Sequence, residues 1–198
     1  MTRHKPSKSA LLFDHFGVLA PFYEQFISPP DIRTLMTLLE LRPEDRLLDA
    51  GGGTGRVAQH FKGMCRHICI MDLSVGMLVE AQAKGGLCTC RGKSERLAFA
   101  DESFERVLAV DSFHHFRDQA VVAHELVRVL APGGRLVIEE PNIAYFPVKL
   151  IALAEKLLLM RSHFYRPAAI SRLFAETGAT VTLYTAQPPN YWAVVEKT

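Results

Sequence analysis

The sequence LLDAGGGTG, residues 47–55, carries the strongest structural signal of this 198-residue chain. Its apolar start predicts a short buried strand, and its glycines predict a tight turn directly after that strand. Residues 56–61 then predict the start of a helix. Glycine permits positive φ and lets a ligand lie directly against the backbone. In α/β proteins, a loop between a strand and a helix N-terminus commonly binds nucleotide-like ligands.

The glycine spacing distinguishes between classes of ligand. Gly51, Gly53 and Gly55 form a G-x-G-x-G pattern, and Arg56 stands where the last glycine of the dinucleotide fingerprint G-x-G-x-x-G would fall. The loop also lacks the Lys-Ser or Lys-Thr pair with which a P-loop holds a triphosphate. The pattern therefore argues against a dehydrogenase and against a P-loop enzyme. An ordinary tight glycine turn is the alternative.

A second predicted strand, residues 67–72, ends in the acidic residue Asp72. Asp72 follows the glycine loop at close to the roughly 20 residues at which nucleotide-binding folds place a ribose-binding acid. We therefore expect its carboxylate to accept hydrogen bonds from both ribose hydroxyls, with Leu73 and Met77 packing near the adenosine. Asp72 could instead be only the N-cap of a helix that the sequence predicts over residues 74–84.

Together with its flanking segments, this pattern resembles the class I S-adenosylmethionine-dependent methyltransferases. The run from Asp49 to Gly55 resembles their motif I. Residues 92–105, GKSERLAFADESFE, are similar to the family's G-D-A-E-x-L-P-F-x-D-x-S-F-D, and residues 131–140 to its L-x-P-G-G-x-L-V-I turn and fifth strand. An N-terminal segment over residues 13–23 resembles that of the ubiquinone and menaquinone methyltransferases. The resemblance is to the small type 11 group near those enzymes.

The resemblance implies a fold and a cofactor. The fold is α/β, a three-layer Rossmann-like class I methyltransferase sheet, mostly parallel with an antiparallel C-terminal strand. The cofactor is S-adenosyl-L-methionine, with its methionine part in the glycine loop and its ribose on Asp72. The cofactor-binding candidates are Asp49, Gly51, Gly53, Gly55, Asp72, Leu73, Met77, Lys93, Ser94 and Asp111.

One position departs from the family pattern. Lys93 stands where the family has an acid that accepts a hydrogen bond from the adenine amino group. Because a lysine side chain has no acceptor, adenine would rely on backbone groups near Ser94 and on apolar packing. This departure leaves an alternative function, a protein that binds S-adenosylmethionine but catalyses methyl transfer weakly or not at all.

Residues 111–116, DSFHHF, follow the predicted fourth strand at the carboxyl edge of the sheet, where open α/β folds bind their ligands. The pair of histidines resembles the L-H-H of small-molecule methyltransferases. The D/N-P-P-Y signature of nucleic-acid and protein amide methyltransferases does not occur in this segment. The candidate bases are His115, His114 and Tyr23, with His115 preferred. Packing or helix capping is the alternative for either histidine.

We expect a single domain, residues 1–198, with four parts. These are an N-terminal helical cap over 1–45, a cofactor-binding core over 46–140, a lid over 141–166, and a C-terminal helix with closing strands over 167–198. The lid contains a run rich in Leu, Ile and Ala that is apolar nearly all round. Such a pattern is typical of a helix that is buried or touches an apolar partner.

The composition of the lid and cap indicates the kind of acceptor. Residues 146–160 show no single polar face, and the cap adds Phe16, Phe22 and Phe26. A pocket with such walls suits an apolar or aromatic small molecule, because burying an unpaired charge is costly. The implied reaction is therefore methyl transfer to a small acceptor of that kind. A methyltransferase acting on a polar amine or a macromolecule is the alternative, and the apolar walls could instead be a core or a dimer interface.

Charge and cysteine usage exclude other partners. The net charge of +2 is too small to indicate a nucleic-acid partner. The lid is too interrupted by charges to span a membrane, although it could touch a membrane surface. Cys65, Cys69, Cys88 and Cys90 lack a recognisable zinc spacing, so we expect small core residues and no metal site. With no signal peptide visible, we expect a cytoplasmic protein that is a monomer or a homodimer.

Overall fold

The computed structural model describes Ala20, residues 31–157, residues 162–185 and residues 188–198. The strands are β1 (Arg46–Ala50), β2 (His67–Asp72), β3 (Cys88–Arg91), β4 (Phe104–Val110), β5 (Leu130–Pro141), β6 (Thr180–Thr185) and β7 (Asn190–Glu196). The α-helices are α1 (Ile32–Leu39), α2 (Val75–Ala83), α3 (Gln119–Val129), α4 (Phe146–Leu157) and α5 (Pro167–Ala175). Two short 3-10 helices span Ala58–Phe61 and Phe113–His115.

The seven strands form one sheet in the order β3-β2-β1-β4-β5-β7-β6. Strands β1 to β5 pair in parallel, whereas β7 runs antiparallel to both β5 and β6. This confirms the predicted α/β fold with its antiparallel C-terminal edge. The carboxyl ends of the five parallel strands meet at one edge of the sheet, which is where open α/β folds bind ligands.

Strand β1 is covered on both faces. Leu47 and Leu48 are consecutive residues of β1, and both are fully buried. Successive side chains of a strand point to opposite faces, so both faces of β1 are covered. Leu48 packs in the cluster that includes residues of α3 and α5, and Leu47 in the cluster that includes residues of α1 and Phe61. Burial on both faces explains why Leu47 and Leu48 are consecutive apolar residues rather than one member of an alternating pattern.

The segment after the glycine loop differs from the prediction. Instead of an α-helix that begins at Arg56, the chain makes a single 3-10 helix, Ala58–Phe61. It ends there because Lys62 is extended and Gly63 takes a left-handed φ of 77°, which does not continue a helix. The fully buried Phe61 packs against the sheet and anchors this turn.

The cysteines only partly follow the prediction. Cys69 and Cys88 are register partners on β2 and β3, as expected for adjacent strands. Cys88 is exposed, however, and the other three are only partly buried. The expectation of small core residues is wrong for Cys88 because β3 is an edge strand.

The lid helix also differs from its prediction. Val148 of α4 is buried, but Phe146, Leu150, Ile151 and Leu153 are exposed, Phe146 at 70%. The prediction that these side chains wall an apolar pocket is therefore wrong, because only one stripe of the helix faces the protein. Residues 158–161 of the predicted lid lie outside the described residues. The same holds for Phe16, Phe22, Phe26 and the rest of the predicted cap, except Ala20 and residues 31–45.

Replacement of Gly51 tests how closely the loop approaches β4. Gly51 has a φ of 69°, and a Cβ there would lie 2.8 Å from Ser112 Cβ. We expect Gly51→Ala to lower the free energy of unfolding by about 1–2 kcal/mol through its left-handed backbone. The clash with Ser112 should add about 1–3 kcal/mol. Chemical denaturation measures the sum.

Gly85→Ala is the matched control. Gly85 has a similar φ of 66°, but a Cβ there would meet no described atom within 4 Å. It should therefore show the backbone cost alone. Equal losses of stability in the two variants would contradict a close approach between the glycine loop and β4.

Candidate active site

The glycine loop turns back against β2 and leaves one side open. Gly51, Gly53 and Gly55 all have positive φ, between 54° and 73°. The backbone N–H of Gly51 donates to Met71 O at 2.7 Å, which ties the loop to β2. A Cβ on Gly53 would meet only Met77 Sδ, at 3.8 Å, among the described residues. The predicted loop therefore has room for a ligand beside Gly53.

Asp72, the last residue of β2, contacts this loop. Its Oδ2 accepts from the backbone N–H of Gly53 at 3.0 Å, and its Oδ1 accepts from that of Ser74 at 2.8 Å. The N-cap of α2 is Ser74, whose Oγ accepts from Met77 N. Asp72 is thus not the helix cap that was the alternative.

The predicted adenosine surroundings lie next to Asp72. Leu73 is 56% exposed and Met77 is buried, so Leu73 offers apolar surface to a ligand beside the loop. Lys93 is exposed at the end of β3 and its carbonyl accepts from Arg96 N at 3.1 Å, while Ser94 is buried. The adenine roles of these four residues stay predictions.

Carboxylates crowd the carboxyl edge of the sheet. Asp49, Glu139 and Glu140 are buried, and burial raises the pKa of Asp49 and that of Glu139 to about 7 each. Asp49 Oδ2 has no hydrogen-bond partner within the described residues. A buried cluster of one sign of charge favours a cation at this edge.

Arg56 is the counter-charge at this edge. Its Nη2 lies 3.3 Å from Asp111 Oδ2, and Asp111 itself sits at a left-handed φ of 50°. Burial and the nearby Glu140 raise the pKa of Asp111, while Arg56 opposes that rise. The ion pair joins the glycine loop to the end of β4. In the sequence, Arg56 was notable only because it replaces the last glycine of the dinucleotide fingerprint, and its pairing with Asp111 was not predicted.

The two histidines occupy the 3-10 turn that follows β4. His114 Nδ1 shares a hydrogen bond of 2.7 Å with Glu140 Oε2, and the Glu140 Oε1 atom accepts from Phe113 N at 2.8 Å. Burial lowers the pKa of His114, but the carboxylates of Glu140 and Glu155 outweigh it, so the net shift is upward. Burial, and then His114, lower the pKa of His115 to about 2.

A second segment clamps this turn. The side-chain amide of Gln119 donates to the carbonyls of Phe113 and His163, at 2.8 and 2.9 Å. His163 N donates to His114 O at 2.7 Å, and the Phe164 ring stacks on His114 with centroids 4.2 Å apart. The histidine turn is therefore held between α3 and residues 162–164.

The structure brings most of the predicted site to one edge. Asp49, the glycine loop, Asp72 and Asp111 meet at the carboxyl ends of β1, β2 and β4, and Ser112 Oγ donates to Ala50 O at 2.9 Å to join two of those ends. Tyr23 lies outside the described residues. Sequence reasoning missed Glu140, although its place at the end of the predicted fifth strand could have indicated it.

Comparison with known proteins identifies relatives. A family described as a methyltransferase domain matches residues 48–138. A demethylmenaquinone methyltransferase of Mycolicibacterium vanbaalenii is 32% identical over 81% of this chain and 67% of its own length. A malonyl-[acyl-carrier protein] O-methyltransferase of Erwinia billingiae is 32% identical over 72% of this chain and 61% of its own length. The chain thus spans about half to two thirds of the length of its curated relatives.

Solved structures share the fold. A putative methyltransferase of Haloferax volcanii, solved with the activator Trm112, has a TM-score of 0.77 and 18% identity over 92% of this chain and 97% of its own. Magnesium protoporphyrin IX methyltransferase of Synechocystis, solved with bound SAH, has a TM-score of 0.67 and 14% identity over 84% and 82%. At these identities the likeness concerns the fold alone.

Of the helices in the part of the chain that the structure describes, none combines the length and the apolar composition that crossing a membrane requires.

Asp49→Asn tests the buried carboxylate. Because the pKa of Asp49 in the fold is about 7 against a reference of 3.8, its contribution to stability is full below the reference value and is lost as pH rises towards 7. Asparagine does not ionise. We therefore expect the stability of Asp49→Asn relative to the wild type to rise by at least about 1 kcal/mol between pH 5 and pH 7.5.

The measurement is denaturant unfolding at a series of pH values without added ligand. Glu176→Gln, which removes an exposed carboxylate directly after α5, is the control and should leave the pH profile unchanged. A constant offset between Asp49→Asn and the wild type at all pH values would contradict the buried ionisation.

Proposed function

This chain belongs to the methyltransferase family matched over residues 48–138, and from that premise we propose that it transfers a methyl group from S-adenosyl-L-methionine to a small apolar or aromatic acceptor. The observation that carries the proposal is the open face of Gly53 beside Asp72, at the same edge of the sheet as the histidine turn. A cofactor site and a candidate acceptor-activating pair thus share one edge.

The residues present fit the cofactor. The room beside Gly53 suits a group lying against the backbone, and the Asp72 carboxylate next to it is a charged hydrogen-bond acceptor of the kind that ribose hydroxyls need. Leu73, exposed next to Asp72, offers an apolar surface for the base. Lys93 supplies no acceptor for an adenine amino group, so backbone groups near Ser94 would take that role.

Charge supports the same cofactor. When bound, S-adenosylmethionine would supply a methyl group activated by a positively charged sulfur. Among the described residues, Asp49, Asp72, Asp111, Glu139 and Glu140 stand at the ends of the parallel strands. The cations beside them are Arg56, paired with Asp111, and Lys84, whose Nζ donates to Thr54 O in the glycine loop. Their negative field favours a cation over an anion at this edge. The demethylated product is neutral at sulfur and gains less from that field, which favours its release.

The surroundings of the histidines support an aromatic acceptor. Phe164 stacks on His114, and Phe116 packs edge-on against Phe113 in the same turn. Aromatic rings prefer such stacked or edge-to-face neighbours. One relative is named for demethylmenaquinone, a name that agrees with an aromatic acceptor, and another is named for malonyl-[acyl-carrier protein]. Methyl transfer to such an acceptor mainly requires alignment and exclusion of water.

The histidines are the groups that would activate the acceptor. Glu140 fixes the His114 ring through Nδ1, so Nε2 is the nitrogen directed away from that contact. This orientation is the usual role of a carboxylate beside a histidine base. His114 is on this geometry better placed as a base than His115, which the sequence favoured. The third sequence candidate, Tyr23, lies outside the described residues.

Asp72→Asn tests the cofactor site. The amide keeps the size of the side chain but removes one charged acceptor. We expect the affinity for S-adenosylmethionine to fall by about 1–3 kcal/mol, the range for a lost hydrogen bond to a charged group. Calorimetric titration measures the affinity, and circular dichroism confirms that the variant is folded. An unchanged affinity in a folded variant would remove Asp72 from the site.

A screen of acceptors tests the reaction. The purified full chain is incubated with S-adenosylmethionine carrying a labelled methyl group and with matched panels of phenols or quinols, alkyl amines and RNA. We expect labelled product with the phenols or quinols. Product only from amines or RNA would overturn the acceptor class. Cofactor binding without any product would favour a binding protein.

A further inference from the structure

A group of three side chains lies beside the histidine turn. His114, His115 and Glu155 each offer one donor atom, and these atoms all lie within 4.8 Å of one another. We propose that the three side chains bind one divalent transition-metal ion, with Zn²⁺ the best match. The two histidines come from the turn after β4, and Glu155 comes from α4.

The support of His114 is that of a metal ligand. Its Nδ1 is hydrogen-bonded to the Glu140 carboxylate at 2.7 Å, and both side chains are buried, with 5% and 3% exposed. This bond leaves Nε2 as the donor towards a metal. Metal-binding histidines regularly give their other ring nitrogen to a carboxylate, which fixes the tautomer and raises the basicity of the donor.

His115 has a similar arrangement. Its Nδ1 shares a hydrogen bond of 3.0 Å with Ser162 Oγ, and its ring centroid lies 4.0 Å from that of His114. The clamp through Gln119 and His163 holds the backbone of the turn. Two imidazoles therefore face one region with little freedom to turn away, which reduces the entropy lost when an ion binds.

Glu155 supplies the negative charge. It lies seven residues after the buried Val148, on the stripe of α4 that faces the protein. Within the described residues, its Oε2 atom is shielded from solvent and has no hydrogen-bond partner. A shielded carboxylate oxygen without a partner is costly, and a bound cation would offset that cost.

The donor set selects the kind of ion. Two imidazole nitrogens and one carboxylate oxygen match zinc and its neighbours, whereas Mg²⁺ and Ca²⁺ prefer oxygen donors alone. Donors about 2.1 Å from a tetrahedral ion lie about 3.4 Å apart, so the group has to close by at most about an ångström and a half. Three protein ligands leave one position for water or substrate.

The use of that open position rests on the proposed function. With His114 Nε2 bound to the ion, the ion takes the place of the free imidazole in activating the acceptor, because a divalent ion lowers the pKa of a hydroxyl bound to it. An acceptor hydroxyl held there would lose its proton to solvent and present an oxygen nucleophile at the carboxyl edge of the sheet. In the transfer, a carbon–oxygen bond forms while the carbon–sulfur bond breaks, and sulfur keeps the electron pair. The proposal therefore narrows the acceptor to a hydroxyl compound.

The alternative is an ion pair without a metal. A protonated His114 between the carboxylates of Glu140 and Glu155 would satisfy the same charges. Metal titration distinguishes the two possibilities, because only a metal site binds Zn²⁺ in preference to Mg²⁺.

The test uses the full chain, freed of any affinity tag and treated with chelator. Calorimetry with Zn²⁺ and absorption with Co²⁺ are carried out without cofactor or acceptor. We expect one ion per chain, visible d–d bands with Co²⁺, no thiolate charge-transfer band, and no binding of Mg²⁺. Glu155→Gln and His115→Ala should each weaken Zn²⁺ binding at least tenfold.

Matched controls separate this site from others. His124→Ala and Glu176→Gln remove an exposed histidine and an exposed carboxylate elsewhere, and both should bind Zn²⁺ as the wild type does. Cys88→Ser removes the exposed cysteine that lies opposite Cys69 and should also have no effect. Loss of binding in Cys88→Ser, equal binding in Glu155→Gln, or no Zn²⁺ binding by the wild type would overturn the proposal.

The outcome is independent of the proposed function. Zn²⁺ binding is measured without methyl transfer, so its absence would leave the acceptor screen to decide the activity. Zn²⁺ binding in a chain that methylates no hydroxyl compound would keep the metal site and reject the proposed reaction.

Discussion

The parallel pairing of β1 with both β2 and β4 is the constraint on which the site depends. In this register, Asp49 aligns with Ile70 on one side and Leu108 on the other, so three strands end together. The loop after β1 must then turn within the space between its neighbours. Gly51 approaches Ser112 so closely that a Cβ would be 2.8 Å from it, which explains a glycine at this point. The same approach sets Asp72 and Asp111 on either side of the loop.

At this edge of the sheet, a buried carboxylate and a strained backbone lower the stability of the fold. Asp49 is buried with an oxygen that lacks a partner within the described residues, and burial raises its pKa to about 7. Asp111 adds a left-handed backbone, an arrangement that costs about 1–3 kcal/mol in a residue other than glycine. The core below is apolar on both faces and supports these costs. Such unfavourable groups concentrated at one edge of a well-packed sheet indicate a binding site rather than a packing defect.

Sequence reasoning reached the fold because its signals are local. The strand over residues 67–72 and the closing pair of strands depend on apolar runs and turn residues that are adjacent in the chain. The contacts of the site are different. Glu140 is 26 residues from His114, and Arg56 is 55 residues from Asp111, so only the folded sheet brings them together. Asp72 could be predicted because its distance from the glycine loop is fixed by one strand and one turn.

The least predictable element is α4, because several of its large apolar side chains are exposed and one of its charged side chains faces the protein. Its large apolar residues, such as Phe146 and Leu153, are exposed, whereas Glu155 faces the histidines. A helix held by burial shows the opposite arrangement, which is why its composition suggested an apolar wall. Two contacts of α4 with the rest of the protein are the burial of Val148 and the electrostatic attraction between Glu155 and His114. Glu155 therefore links α4 to the histidine turn at the carboxyl edge of the sheet, a contact that its helical pattern alone does not reveal.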